Sequence, residues 1–147
     1  MIWKKAMIQI KFKKTHLRAK LPTKSYEDAA MWDIYAVEDV FIAPKEGEVI
    51  PVGLNIELPP KWVCLVFTRS GHGFKGVRVH LGVIDADYRG DISPYVFNHS
   101  SSRFFVHPGE RIAQLFFMPV PQVEVAEVDN LSKTKRGEHG FGSSDGK

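Results

Sequence analysis

Apolar and polar residues alternate along most of this chain. In MIQIKFK (7–13), Ile8, Ile10 and Phe12 fall on one side and Gln9, Lys11 and Lys13 on the other, the period of a half-buried strand. VIPVGLNIELPP (49–60) repeats the pattern with Val52, Leu54, Ile56 and Leu58 on one face. KWVCLVFT (61–68) is continuously apolar and predicts a strand buried on both faces, and DISPYVFN, SRFFV, RIAQLFFMPV and QVEVAEV follow as short β segments. Turn residues punctuate them at 43–44 (AP), 59–60 (PP), 107–109 (HPG) and 119–121 (PVP). No stretch carries a sustained helical stripe, and HGFKG (72–76) has room for one turn of helix at most. Many short strands with frequent turns predict an all-β domain, a sandwich, jelly roll or distorted barrel. The β pattern stops near Asp129, so 1–128 is read as a single β domain and 129–147 as a polar connector with a glycine-rich end.

Composition narrows the class. A length of 147 residues suits one domain with its own core, and 44% hydrophobic with 25% charged residues is ordinary for a soluble protein. No apolar run approaches the roughly 20 residues that span a bilayer, and lysines interrupt the N-terminal stretch too often for a signal peptide. Neither a membrane partner nor a secretory route is expected. The one cysteine, Cys64, sits inside WVCLVF and reads as an inert core thiol, which suits a reducing cytoplasm.

The net charge of +3 hides an asymmetry. Residues 1–24 hold eight basic residues and no acid, leaving 12 basic against 17 acidic residues in the rest. Such an arm could touch nucleic acid, but a lysine-faced edge strand that resists edge-to-edge pairing is the better reading, and no nucleic-acid partner is expected.

Three loop-like stretches hold more chemistry than turns require. TRSGHG (68–73) follows the apolar run and groups Arg69, a hydroxyl and free backbone donors, as an anion site does. GVIDADYRG (82–90) carries Asp85 and Asp87 two positions apart, on one face if the segment is extended. A carboxylate held at the edge of a core that can take a proton from water equips a hydrolase. RGEHGFGSSDGK (136–147) combines glycines that allow close backbone approach with serine donors, but lacks the setting of a P-loop. The six histidines form no zinc motif.

Together these stretches resemble the trimeric dUTP pyrophosphatase (dUTPase) family, whose five motifs occur here in the family's order. AAMWDIYA (29–36), TRSGHG, GVIDADYRG, GERIAQL (109–115) and RGEHGFGSS (136–144) match the first to the fifth. The resemblance implies a jelly-roll-like, distorted β-barrel and a homotrimer in which each site draws motifs from different chains. It implies hydrolysis of dUTP to dUMP and pyrophosphate, which limits uracil in DNA and supplies dUMP for dTMP synthesis. Asp85 matches the residue that orients and deprotonates the water attacking the α-phosphorus. Tyr88 matches the aromatic that packs on deoxyribose and excludes a 2′-hydroxyl. Arg69, Ser70, Gly71 and Gln114 match phosphate contacts, and Val79, Gly82 and Ile84 fall in the base-reading region. Arg136, Phe141, Gly142, Ser143 and Ser144 match the flexible arm that closes over the site, with Phe141 on the uracil ring. Mg²⁺ is expected on the triphosphate and waters with no direct protein ligand. Asp33 has a supporting role, near the metal-bound waters or beside the phosphate-binding arginine.

Met31, Thr68 and His139 depart from the usual glycine, proline and glycine of the motifs, and HGFKGVRVHL is slightly shortened. Val79 stands where some members read uracil with an asparagine. A dCTP deaminase or bifunctional dCTP deaminase/dUTPase of the same fold, and a dUTP-gated regulatory interaction protein, are the alternatives. The intact IDADY unit speaks against the deaminase. A cytoplasmic location is expected, in the host if the source is viral, with the nucleus a second compartment if it is eukaryotic.

Overall fold

The computed structural model describes residues 7–142. Its described part holds eleven strands and one five-residue helix. In chain order these are β1 Lys11–Lys14, β2 Trp32–Tyr35, β3 Val40–Ile42, β4 Gly47–Val49, β5 Leu54–Glu57 and β6 Trp62–Phe67, then α1 Ser70–Phe74, then β7 Val77–Val79, β8 Gly82–Ile84, β9 Tyr95–Asn98, β10 Phe104–Val106 and β11 Arg111–Pro119. All strand pairs are antiparallel. They form a four-stranded sheet β2-β11-β6-β8, a three-stranded sheet β4-β9-β7, and the pairs β1-β5 and β10-β3. This is an all-β fold, as the alternation predicts, of the jelly-roll-like, distorted kind that the resemblance implies.

The alternation also locates the core. Val52, Leu54, Ile56 and Leu58 are all buried, on the face the sequence assigns them. Gly53 between them has φ +64, and a Cβ there would run into the side chain of His16. That left-handed residue lets the chain enter β5 while its carbonyl accepts the Thr15 N–H at 2.9 Å. In β11, Ile112 and Ala113 are adjacent and both buried, which strict alternation forbids. A register shift against β2 between Arg111 and Ala113 resolves this, because a bulge turns two successive residues inward.

Three expectations change. The run WVCLVF alternates in burial: Cys64 and Val66 are buried while Trp62, Val63, Leu65 and Phe67 are only half covered. Ile8 and Ile10 precede the first strand, which begins at Lys11, so the N-terminal alternation extends beyond its hydrogen-bonded partner β5. QVEVAEV (122–128) forms no strand; it is exposed chain without a ladder to any of the described residues. Cys64 is fully buried, and burial pushes its thiol up to about 12, so it stays protonated and unreactive at neutral pH. No helix among the described residues is long and apolar enough to cross a membrane.

Candidate active site

The functional side chains form two clusters. The first centres on Asp33 in β2, whose side chain is 2% exposed although it carries a carboxylate. Its Oδ1 accepts from Arg69 Nε at 3.0 Å and from Gln114 Nε2 at 3.4 Å. Its Oδ2 accepts from the Ser25 hydroxyl at 2.8 Å and lies 3.5 Å from Arg111 Nη1. Burial alone would raise the Asp33 pKa; the Ser25 hydrogen bond, the Arg69 charge and the bonds from Arg69 and Gln114 outweigh it and hold the carboxyl below its usual range. The first-motif acid thus anchors the second-motif arginine and the fourth-motif glutamine. The Asp33 carboxylate lies beside the arginine of the second motif, bonded directly to it.

The strand order brings these residues together. Gln114 pairs with Asp33 on one side of β11 and with Phe67 on the other, and Phe67 lies two residues before Arg69. Arg69 has extended backbone (φ −71, ψ 141) and precedes α1, where the first helical bond runs from the Gly73 N–H to the Arg69 carbonyl at 2.9 Å. The amides of Ser70 and Gly71 are therefore outside the helical ladder, and both residues are exposed. Beside them lies an open basic pocket bordered by Arg69, His72, Lys75, Glu110 and Arg111. His72 is half-buried with its ring edge-on to Phe104; burial, then the Arg69 charge, push its pKa down and keep the imidazole neutral at pH 7.

Asp33→Asn is expected to cost about 1–3 kcal/mol at pH 7, the range for hydrogen bonds to a buried charge. Because the folded pKa is lowered, the Asp33 contribution is complete above the unfolded value near 4 and fades as pH falls through the folded one. Thermal unfolding between pH 3 and 7 should therefore show a shallower acid limb in the variant than in the parent.

The second cluster is the loop between β8 and β9. Asp85 and Asp87 do not share an extended face; residues 85–88 make a tight turn closed by the Tyr88 N–H on the Asp85 carbonyl at 3.1 Å. Arg89 donates to the Ala86 and Tyr88 carbonyls at 2.7 and 2.9 Å, and the Tyr88 hydroxyl donates to the Asp91 carbonyl at 2.9 Å. Asn55 in β5 grips the loop from beneath, donating to the Arg89 carbonyl at 2.6 Å. Gly90 is required here: a Cβ would overlap the Tyr88 ring. The loop is thus hydrogen-bonded along its length, with the carboxylate of Asp85 exposed at its head.

A pocket of about 290 Å³ opens beside this loop, lined by Gly82, Val83, Ile84 and Tyr88 on one side and by Ser93, Pro94 and Tyr95 on the other. It exists because β7 belongs to the sheet of β9, while β8 pairs with β6. Gly82 and Ile84 line it as the sequence suggests, whereas Val79 does not; it is buried, with its backbone bonded to Thr68.

The basic pocket and this one share no lining residue. Arg136, Phe141 and Gly142 reach neither, being exposed on chain that carries no strand after Pro119; Ser143 and Ser144 lie outside the described residues. Sequence reasoning missed Ser25, Arg111 and Tyr95. Arg111 stood inside a motif, but Ser25 and Tyr95 had no local signal.

A family model described as dUTPase matches residues 18–145. The deoxyuridine 5′-triphosphate nucleotidohydrolase of Nautilia profundicola is 41% identical over 140 residues, covering 93% of this chain and 99% of that protein. The enzyme of the same name from Vaccinia virus is 38% identical over 135 residues, covering 92% of each. Among solved structures, the Staphylococcus bacteriophage 80alpha dUTPase with dUPNHPP superposes with a TM-score of 0.82 at 27% identity, covering 92% of this chain and 97% of that one.

Proposed function

Because this chain belongs to the dUTPase family, we infer that it is a dUTP diphosphatase, hydrolysing dUTP to dUMP and pyrophosphate. The loop 85–91 carries this reading: an exposed carboxylate, Asp85, three residues before a tyrosine that is hydrogen-bonded within the loop and lines a pocket the size of a nucleoside. Asp85 accepts a proton from the water that attacks the α-phosphorus. The Tyr88 ring packs on deoxyribose, so that a 2′-hydroxyl would collide with it. The base enters between β8 and Tyr95, where backbone groups read it. Arg69, fixed by Asp33, meets the phosphates with Gln114 and the Ser70–Gly71 amides. The arm brings Arg136 to the terminal phosphate, Phe141 to the base, and Gly142, Ser143 and Ser144 to the phosphates.

Among the described residues no three histidines, cysteines or acids are grouped to hold a metal. Both Asp33 oxygens are engaged by protein donors and Asp85 faces solvent. Such a donor set fits Mg²⁺ carried by triphosphate oxygens and water. When bound, the ion neutralises the triphosphate and the charge of departing pyrophosphate.

A homotrimer accounts for the separation of the two clusters, since a complete site then combines one subunit's phosphate cluster with a neighbour's nucleoside pocket. The segment 122–128 supports it. Val123 and Val125 are 80% and 94% exposed and flank Glu124, a strand pattern without a partner among the described residues. An apolar groove bordered by Ile8, Ile10, Leu21, Trp32, Trp62 and Phe117 is open on the same chain. A neighbouring copy of the chain would cover both.

Pyrophosphate release from dUTP, dTTP, dCTP and UTP, with ammonia assayed on dCTP and mass measured by light scattering, tests the reading. The expected result is a trimer that cleaves dUTP selectively and releases no ammonia. Absence of dUTP cleavage overturns the activity, preference for UTP overturns the role of Tyr88, and an active monomer overturns the shared site.

A further inference from the structure

The junction between β7 and β8 is held by a side chain that no step above uses. The chain leaves the β9 sheet after Val79 and enters the β6 sheet at Gly82, so only His80 and Leu81 span the crossover. On one side, the His80 N–H donates to the Tyr95 carbonyl at 2.8 Å. On the other, the Val79 N–H donates to the Thr68 hydroxyl at 2.8 Å, and that hydroxyl lies 3.4 Å from the Val79 carbonyl as a donor. One hydroxyl can serve as acceptor and donor at once, and here it serves both backbone groups of one residue. The Thr68 methyl lies toward Gly73 of α1, where an added Cβ would stand 3.4 Å from it. Thr68 therefore ties the end of β6 and the phosphate-side helix to the strand that leads into the pocket.

We propose that Thr68 is a positioning residue for nucleoside binding: by fixing Val79, its hydroxyl sets the opening between β8 and Tyr95. This rests on the base-binding reading of that pocket. A hydroxyl at this point does two things. It satisfies an N–H and a carbonyl that would otherwise be buried and unpaired, a state the backbone escapes by moving. It also prevents β7 from sliding along β9, since Val79 is held from both edges. Without it the crossover shifts, and His80 and Gly82, which border the pocket, shift with it. Bond making at phosphorus lies on the Asp85 loop, which Asn55 anchors separately, so the effect falls on binding.

Thr68→Val keeps shape and removes the hydroxyl, whereas Thr68→Ser keeps the hydroxyl and removes the methyl. With the full chain, Thr68→Val is expected to raise KM for dUTP and the dUMP dissociation constant, measured calorimetrically, by about tenfold, the equivalent of one lost hydrogen bond. kcat should stay within about twofold, and Thr68→Ser should restore both binding constants. Amide exchange at Val79 should quicken in Thr68→Val and return in Thr68→Ser. Should Thr68→Val not fold, Thr68→Ala replaces it with the same expectations. Unchanged dUMP binding in a folded hydroxyl-free variant, a fall in kcat equal to the loss in binding, or failure of serine to rescue overturns the proposal. Those outcomes are distinct from failure of the functional reading, in which the parent protein neither cleaves dUTP nor binds dUMP.

Discussion

Asp85→Asn is expected to lower kcat for dUTP by roughly 10²–10⁴-fold, the usual worth of a positioned general base, while dUMP affinity stays within a few fold. Asparagine preserves size and can still orient water, but its amide cannot take the proton. The fold should tolerate the change. Among the described residues the Asp85 side chain makes no hydrogen bond or ion pair, and the turn is closed by its backbone carbonyl. The network holding Tyr88, from Asn55 to the Arg89 carbonyl and from Tyr88 to the Asp91 carbonyl, does not pass through it. Thermal unfolding should therefore superimpose on that of the parent, and nucleotide binding should report an intact pocket. Retention of more than about a tenth of kcat would remove Asp85 from proton transfer, since general-base contributions are seldom that small.

Removing residues 136–147 is expected to lower dUTP hydrolysis by roughly 10²–10³-fold, the scale on which losing preorganised phosphate donors acts. Stability and subunit assembly should be unchanged. The last strand among the described residues ends at Pro119, and residues 129–139 are exposed, so the described part of this end contributes nothing to the core. Phe141 is fully exposed with φ 47, an unfavourable conformation for a bulky residue that is not packed against the described residues. On the proposed reading, its aromatic surface gains a partner when a base occupies the site. Ordering such a segment is costly, and ligand contacts must offset that cost. Arg136→Ala and Phe141→Ala should separate the arm's two functions, the first weakening the hold on triphosphate and the second on the base. Calorimetry with dUMP and with a non-hydrolysable dUTP analogue would show the difference. A truncated protein with full activity would reduce the segment to a tail.

The sequence was readable wherever chemistry is local. Strand β5 announced itself because Val52, Leu54, Ile56 and Leu58 must all leave water, and only period two puts them on one side. Asp85 and Tyr88 stood within one short motif, so their companionship needed no fold. QVEVAEV shows the limit of this logic. Its alternation records which side chains avoid water and is silent about whether another strand lies alongside, so the pattern was present without a ladder. The Asp85–Asp87 spacing misled for a related reason. Two-residue spacing means a shared face only on extended backbone, and the bond from Tyr88 to the Asp85 carbonyl turns the chain there.

The sequence by itself determined an all-β chain, the five motifs in order, and the grouping of basic, hydroxyl and carboxylate side chains within them. These follow from side-chain chemistry and from short-range backbone preference, both written residue by residue. Only the tertiary structure decided that Asp33 is a buried anchor, because its partners Ser25, Arg69, Arg111 and Gln114 are scattered along the chain and meet where β2 and β11 pair beside the end of β6. It alone placed the cluster around Asp33 and Arg69 and the pocket beside Tyr88 at separate openings, and put one threonine hydroxyl on both backbone groups of Val79. Long-range proximity is set by sheet register, which depends on how all the strands pack at once.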